Sequence, residues 1–451
     1  MTADSASSPT LASERQRPSI HFTADNGWIN DPYGAAWIDD RYHLYYQAVP
    51  GRVTWGPRCT WGHAESPDLV HWAERPPALV PGDFEVGCWS GSVVPDVTPP
   101  RLFYTRVAGE NLELGQVATA TPGADGETWR TSPEDVVVDG PPPHLRLRAF
   151  RDPNVLRVDD GWVMLLAAGL TDGAGAVLQY RSNDLAQWTY DGILCSRPNN
   201  IADEVWTGGL WECPQLFPLG DRWVLMFSVW NDTVLHHVAA AQGHYDGHRF
   251  EPETWQQLTR GACAYAMSAL VDKQGRRCVI SWLREEPQNN EELIGRAGAH
   301  SVVSVVSIDP EGMLVLHPHP DLDAIRKQTS SQRTTAGVRW DVGAAAADLV
   351  LDVGTEQRCD IYDDRGVRAM IETRPAERAL TIDRTGFPAA RLVLPPRVSH
   401  ARILIDADIL EVFAGHVYGA YRILPAHTAG QGNLVIRGPG SRTATVHLLV
   451  P

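Results

Sequence analysis

The 451-residue chain predicts an all-β protein, a five-bladed β-propeller followed by a C-terminal β-sandwich. Three observations predict it. Short runs rich in aromatic and aliphatic residues alternate with Gly, Pro, Asp and Asn, and no sustained helical periodicity interrupts them. Landmark residues recur about every 60 positions. Tryptophan use then stops abruptly, with fifteen of 16 lying between Trp28 and Trp282 and only Trp340 beyond.

Taken in order, Met1–Pro18 is polar and rich in Ser, Thr, Ala and Pro, without the apolar stretch of a signal peptide. It is expected to be a disordered lead, with cytoplasmic residence as the default. Residues 19–320 are assigned to the propeller. Arg41–Gln47, Leu102–Tyr104, Trp162–Ala167, Val177–Tyr180, Trp223–Val229 and Cys278–Leu283 read as strands. The pattern S-x-D-L-x-x-W occurs at Ser66 to Trp72 and again at Ser182 to Trp188, an offset of 116 residues. Asp31, Ser90, Asp152, Glu212 and Tyr265 are spaced by 59, 62, 60 and 53 residues, which makes that offset a step of two blades among five. Residues 321–334 are read as a partly helical linker, with helical character over Asp321–Ser331. Residues 335–451 hold about ten short strands, from Asp348–Val353 to Thr443–Leu449, at the spacing of an antiparallel sandwich; Gly430, Gly432, Gly438 and Gly440 read as turn glycines.

Composition narrows the function. With 39 Lys+Arg against 55 Asp+Glu the net charge is −16, and no basic run offsets it, so nucleic acid and anionic membrane surfaces are excluded as partners. No run approaches the ~18 apolar residues of a membrane span. The seven cysteines contain no C-x-x-C pair and signal neither a disulfide framework nor a zinc site. His317-Pro-His319 and His236-His237 are read as a turn and a strand pair rather than metal ligands. Without a nucleotide fingerprint or a G-x-S-x-G elbow, no metal and no cofactor is expected.

Three acidic motifs fall at blade intervals: Asn30-Asp31-Pro32, Arg151-Asp152-Pro153 and Glu212-Cys213-Pro214. Each sets a carboxylate one or two residues before a proline that fixes φ and restricts how the strand presents it. Equivalent blade positions converge on one end of a central channel, so the three carboxylates, expected at or just before strand starts, should face one another. Crowded like charges raise at least one pKa, which supplies a proton donor beside an ionised partner, as glycoside cleavage requires. Arg151 is expected to keep Asp152 ionised. Cys213 is expected to be a buried neighbour of Glu212 rather than a nucleophile.

These motifs, with Tyr42 to Gln47, Trp61-Gly-His63, Gly87 to Ser92 and, near the C-terminus, Asp406-x-x-x-x-Glu411-Val-Phe413, occur in an order that resembles glycoside hydrolase family 32, the invertase, fructanase and fructosyltransferase group. The resemblance implies Asp31 as nucleophile, Glu212 as acid/base and Asp152 as stabiliser. It also implies a sugar-contacting shell of Asn30, Gln47, Trp55, Trp89, Ser90, Arg151, Tyr265 and Trp282. The implied activity is a retaining β-fructofuranosidase on sucrose or short fructans, its two reacting carboxyls about 5–5.5 Å apart. The alternatives are fructosyl transfer, including formation or opening of difructose anhydrides, and a propeller that binds carbohydrate without cleaving it.

Three positions depart from the family pattern: Tyr33 beside the nucleophile, where it would shape the leaving-group side, Cys263-Ala-Tyr-Ala266 without the usual Asp, and Gly298-Ala-His300 where a Pro-Arg pair is common. They bear on acceptor identity. A small saccharide is the expected partner, and an exposed sandwich edge leaves a homo-oligomer open.

Overall fold

The computed structural model describes residues 16–123, 128–286, 295–329, 331–334, 337–343, 345–363, 366–423, 434–438 and 444–451. Most of the N-terminal lead and three of the four turn glycines, 430, 432 and 440, lie outside the described residues. Five antiparallel sheets form the blades of a propeller, and two seven-stranded sheets follow. The innermost strands of the blades are Gly27–Ile38, Gly87–Val94, Leu147–Val158, Leu210–Leu219 and Ala264–Val271. The ring is closed by Arg296–Ala297, which leaves the fifth blade to pair in parallel with Gly27 and Trp28 of the first.

The S-x-D-L-x-x-W repeat is the turn between the third and fourth strands of blades one and three. In both copies the Asp backbone N–H donates to the Ser hydroxyl at 3.2 Å, and the Asp carboxylate accepts backbone N–H groups further on, from Val70 and His71 in one and from Ala186 and Gln187 in the other. Leu69 and Leu185 adopt left-handed φ of 63° and 64° to complete the turn. A short polar side chain that bonds locally supports such a conformation.

The stretch Asp321–Ser331 is helical only in its first turn, and its helical character does not reach Ser331. Helix covers only Asp321–Ala324; Arg326–Gln328 then pairs with Ala444–Leu449, and Ser331–Thr334 with Gly337–Gly343. The ladder to the last strand satisfies those backbone groups more completely than a helix lacking a side-chain cap.

Strand alternation decides what the sandwich packs against. In His400–Asp406, Ile403 and Ile405 enter the core between the two sandwich sheets, whereas Leu404 joins a core shared with Met267, Val279 and Leu283 of blade five. Ile409 and Phe413 face the propeller in the same way, with Leu410 and Val412 turned into the sandwich. Each fully buried side chain of this size contributes roughly 1.5–3 kcal/mol, so the propeller face of the sandwich is core rather than loose contact. Its edge strand Val417–Arg422 pairs in parallel with Thr259–Arg260, between blades four and five. Among the described residues no helix is long and apolar enough to cross a membrane.

Two buried clusters cross this interface. Asp406 accepts the backbone N–H groups of Ser19, Ile20 and His21 at 2.8–3.1 Å and meets His21 Nδ1 at 2.9 Å. The other ring nitrogen of His21 lies 2.7 Å from Glu411, which also accepts from Val302 N–H and Tyr418 OH. Burial alone would lower the His21 pKa, but hydrogen bonds to Asp406 and Glu411 raise it to about 9. The second cluster joins Arg422 to Asp408 at 2.9 Å and Glu285 at 3.2 Å, and Arg384 to Glu286 at 2.5 Å.

Candidate active site

At the same level of every blade the innermost strand slips out of register with its neighbour. The slips fall between Ile29 and Pro32, Trp89 and Gly91, Arg151 and Asn154, Glu212 and Gln215, and Tyr265 and Ser268. A bulge bends its strand and re-aims side chains, and here it turns polar groups toward the channel axis. Asp152, Cys213 and Ala266 hold the left-handed φ values of 58°, 51° and 47° at three of these bulges. The carboxylates therefore sit within long strands, at bulges, and not at strand starts. Strand continuity on either side fixes them more firmly than a strand end would.

A cavity of about 540 Å³ opens at this end of the channel, lined by Asp31, Asp152 and Glu212 together with Asn30, Gln47, Trp55, Trp89, Ser90, Arg151, Tyr265 and Trp282. The three carboxylates and all eight residues of the implied sugar-contacting shell meet there. Trp55 is exposed and stands edge-to-face on Trp89 at 5.6 Å, and Trp28 meets Trp282 in the same manner at 5.5 Å. These indoles wall the cavity with apolar surface.

Asp31 accepts from Asn30 Nδ2 at 3.0 Å, Ser90 Oγ at 2.9 Å and Tyr33 OH at 3.0 Å. Asn30 is held in turn by Gln47 Oε1 at 2.8 Å. Burial and the nearby Glu212 raise the Asp31 pKa, and the three donors oppose that rise. Tyr33 is itself buried, also bonds Gln47 and Ser90, and lies behind Asp31 outside the cavity lining. It therefore buttresses the carboxylate and does not shape the leaving-group side.

The role expected of Arg151 needs correction. Its Nη2 and Nε reach Glu212 Oε1 at 2.8 and 3.2 Å, and its Nη1 reaches Glu113 at 2.6 Å. Asp152 instead accepts the backbone N–H of Cys213 at 3.0 Å. Burial dominates and pushes the Asp152 pKa up to about 7, Arg151 opposing it while Glu212 and Asp31 add to the rise. A guanidinium already shared between two glutamates cannot also hold a third carboxyl fully ionised. Tyr265 OH donates to the second oxygen of Glu212, so both oxygens of that side chain are engaged. Cys213 is buried, its Sγ 3.6 Å from Asp31, and burial with the adjacent carboxylates raises its pKa and keeps it a thiol.

Sequence reasoning missed Glu113, Arg284 and Glu285 in the lining. Arg284 donates to the carbonyls of Leu235 and His236 at 2.8 and 3.0 Å, and its guanidinium lies 5.0 Å over the Tyr265 ring. Glu285 accepts Gly298 N–H at 3.0 Å and meets Arg422 of the sandwich. At the third departing position, His300 bonds the carbonyl of Asn30 at 2.8 Å, so it anchors the strand that carries Asp31. His236 and His237 lie in a strand; His317 ends another, and His319 reaches Asp272 Oδ2 at 3.1 Å beside Arg276.

Paired carboxylates, a guanidinium and aromatic walls at one end of a five-bladed channel define a glycoside hydrolase. The chain belongs to glycosyl hydrolase family 32, whose N-terminal domain model matches residues 21–318. A sucrose-6-phosphate hydrolase of Escherichia coli is 34% identical over 70% of this chain and 67% of its own length. A raffinose invertase of Escherichia coli is 30% identical over 92% and 91%. A β-fructofuranosidase of Bombyx mori, solved with sucrose, shares the fold at a TM-score of 0.82 and 24% identity, covering 96% of this chain and 94% of that one.

Proposed function

We propose that the protein is a retaining β-fructofuranosidase that removes terminal β-fructofuranosyl units from sucrose or short fructans. The observation that carries this is the convergence of Asp31, Asp152 and Glu212 on one cavity, with Asp31 held by three hydrogen-bond donors and Glu212 by Arg151 and Tyr265. The names of the relatives, a raffinose invertase and a fructofuranosidase solved with sucrose among them, support the substrate class.

In this mechanism Asp31 attacks the anomeric carbon while Glu212 protonates the departing oxygen. Glu212 then takes a proton from the water that releases fructose, reversing its role. Three donors aimed at Asp31 orient it before substrate arrives. Asp152, near neutral at its raised pKa, binds fructose hydroxyls either as donor or as acceptor. The buried position of Tyr33 gives an acceptor sugar no added foothold, which supports hydrolysis over transfer. Product analysis with sucrose, inulin and levan tests this reading. Free fructose released with retained configuration, followed by NMR in a methanol-containing mixture, is expected; inverted product would overturn the nucleophile role of Asp31.

A further inference from the structure

The cavity carries an unusual charge balance for an enzyme with phosphorylated-sugar relatives. Its lining holds five carboxylates, Asp31, Asp152, Glu212, Glu113 and Glu285, against two guanidiniums, Arg151 and Arg284. Both cations already carry partners that a new anion would have to share. Each of the three Arg151 nitrogens is engaged with Glu212 or Glu113. Each Arg284 nitrogen donates to a backbone carbonyl, the third being that of Cys263 at 3.4 Å. No histidine or lysine lines the cavity among the described residues.

From this balance we infer that the site selects uncharged sugars and rejects phosphorylated ones, so that sucrose, and not sucrose 6-phosphate, is the preferred disaccharide. The inference rests on the fructosidase reading above. A phosphate bears nearly two negative charges at neutral pH and normally finds Arg, Lys or a ring of backbone donors in its site. Here it meets an excess of carboxylate in a partly dehydrated pocket, where repulsion is less screened than in water. A neutral fructoside presents only hydroxyls, which carboxylates accept well. Glu113 is the residue that enforces this most directly, since it both contributes a charge and occupies Arg151 Nη1.

The test measures kcat/KM of the wild-type enzyme on sucrose and on sucrose 6-phosphate across a sodium chloride series, with calorimetric binding of the two disaccharides to the Asp31→Asn variant. The expected result is at least about a hundredfold preference for sucrose and weaker binding of sucrose 6-phosphate than of sucrose, both differences shrinking as salt screens the charges. Glu113→Gln should narrow the ratio several-fold, mainly through KM for the phosphorylated sugar. Equal or better use of sucrose 6-phosphate, or a preference indifferent to salt and to Glu113→Gln, would overturn the inference. If the wild type cleaves neither disaccharide but Asp31→Asn still binds sucrose more tightly than its phosphate, the fructosidase reading falls and charge selection stands. If neither disaccharide binds, both fall.

Discussion

Two buried clusters in this protein each set carboxylates around a cation and are solved in opposite ways. In the cavity, three carboxylates crowd together, burial and mutual repulsion raise the pKa values of Asp31 and Asp152, and the one adjacent guanidinium is divided between Glu212 and Glu113. At the interface, one imidazole sits between two carboxylates that also collect six backbone or hydroxyl donors, so the His21 pKa rises while that of Asp406, despite burial, falls through bonds to His21 and to backbone. The first cluster is left electrostatically unsatisfied where a substrate must supply the missing partners. The second is complete and holds the propeller to the sandwich.

This contrast sets the predictions. Removing a cavity carboxylate should abolish turnover without unfolding the protein. Glu212→Gln is expected to lower kcat by about 10²–10⁴-fold, the usual contribution of a general acid/base, and Asp31→Asn by at least as much, measured on sucrose at the wild-type pH optimum with circular dichroism as the folding check. A folded variant that kept a tenth of the rate would remove the cavity cluster from the chemistry. Removing the shared imidazole should do the reverse. His21→Ala is expected to cost about 3–5 kcal/mol in urea denaturation, because it strands Asp406 and Glu411 without their cation, while kcat of the protein that remains folded stays within about twofold.

The pH dependence of stability distinguishes the clusters further. The folded pKa of His21, about 9, lies above its ordinary 6.5, so its contribution is complete below pH 6.5 and disappears as pH rises through 9. The thermal midpoint difference between wild type and His21→Ala should therefore shrink between pH 6.5 and 9.5. Asp152 has the other sign. Its folded pKa of about 7, up from 3.8, means that the native state keeps a proton the unfolded chain has lost, so Asp152 costs stability increasingly as pH rises from 4 to 7. The smallest expected effect follows: Asp152→Asn should raise the thermal midpoint at pH 8 by about 1–3 °C and leave it unchanged near pH 4, while activity is lost.

Much of this architecture was legible because it repeats. The near-60-residue spacing of Asp31, Ser90, Asp152, Glu212 and Tyr265 stands in the sequence beside their motifs, and the structure explains it as one bulge per blade. Glu113 and Glu285 carry no such mark. Glu113 lies in the loop between Arg101–Val107 and Gln116–Pro122 of blade two, and its importance comes from Arg151, 38 residues away. The expectation that Arg151 would serve its neighbour Asp152 failed for the same reason: adjacency in sequence says nothing of where a long side chain reaches from a bulged strand. His21 and the Asp406-to-Glu411 motif were each visible, yet that they form one cluster across 385 and 390 residues is a property of the docked domains.

The closing contact of the ring has a consequence for how the chain comes off the ribosome. Gly27 and Trp28 are made early, but their partners Arg296 and Ala297 emerge nearly 270 residues after them. At roughly 5–20 residues per second that interval is tens of seconds, during which blade one keeps an open inner edge and Asp31 lacks its final surroundings. Asp31 is thus translated well before the residues that close its ring, and the nascent enzyme stays incomplete until most of its propeller has been synthesised.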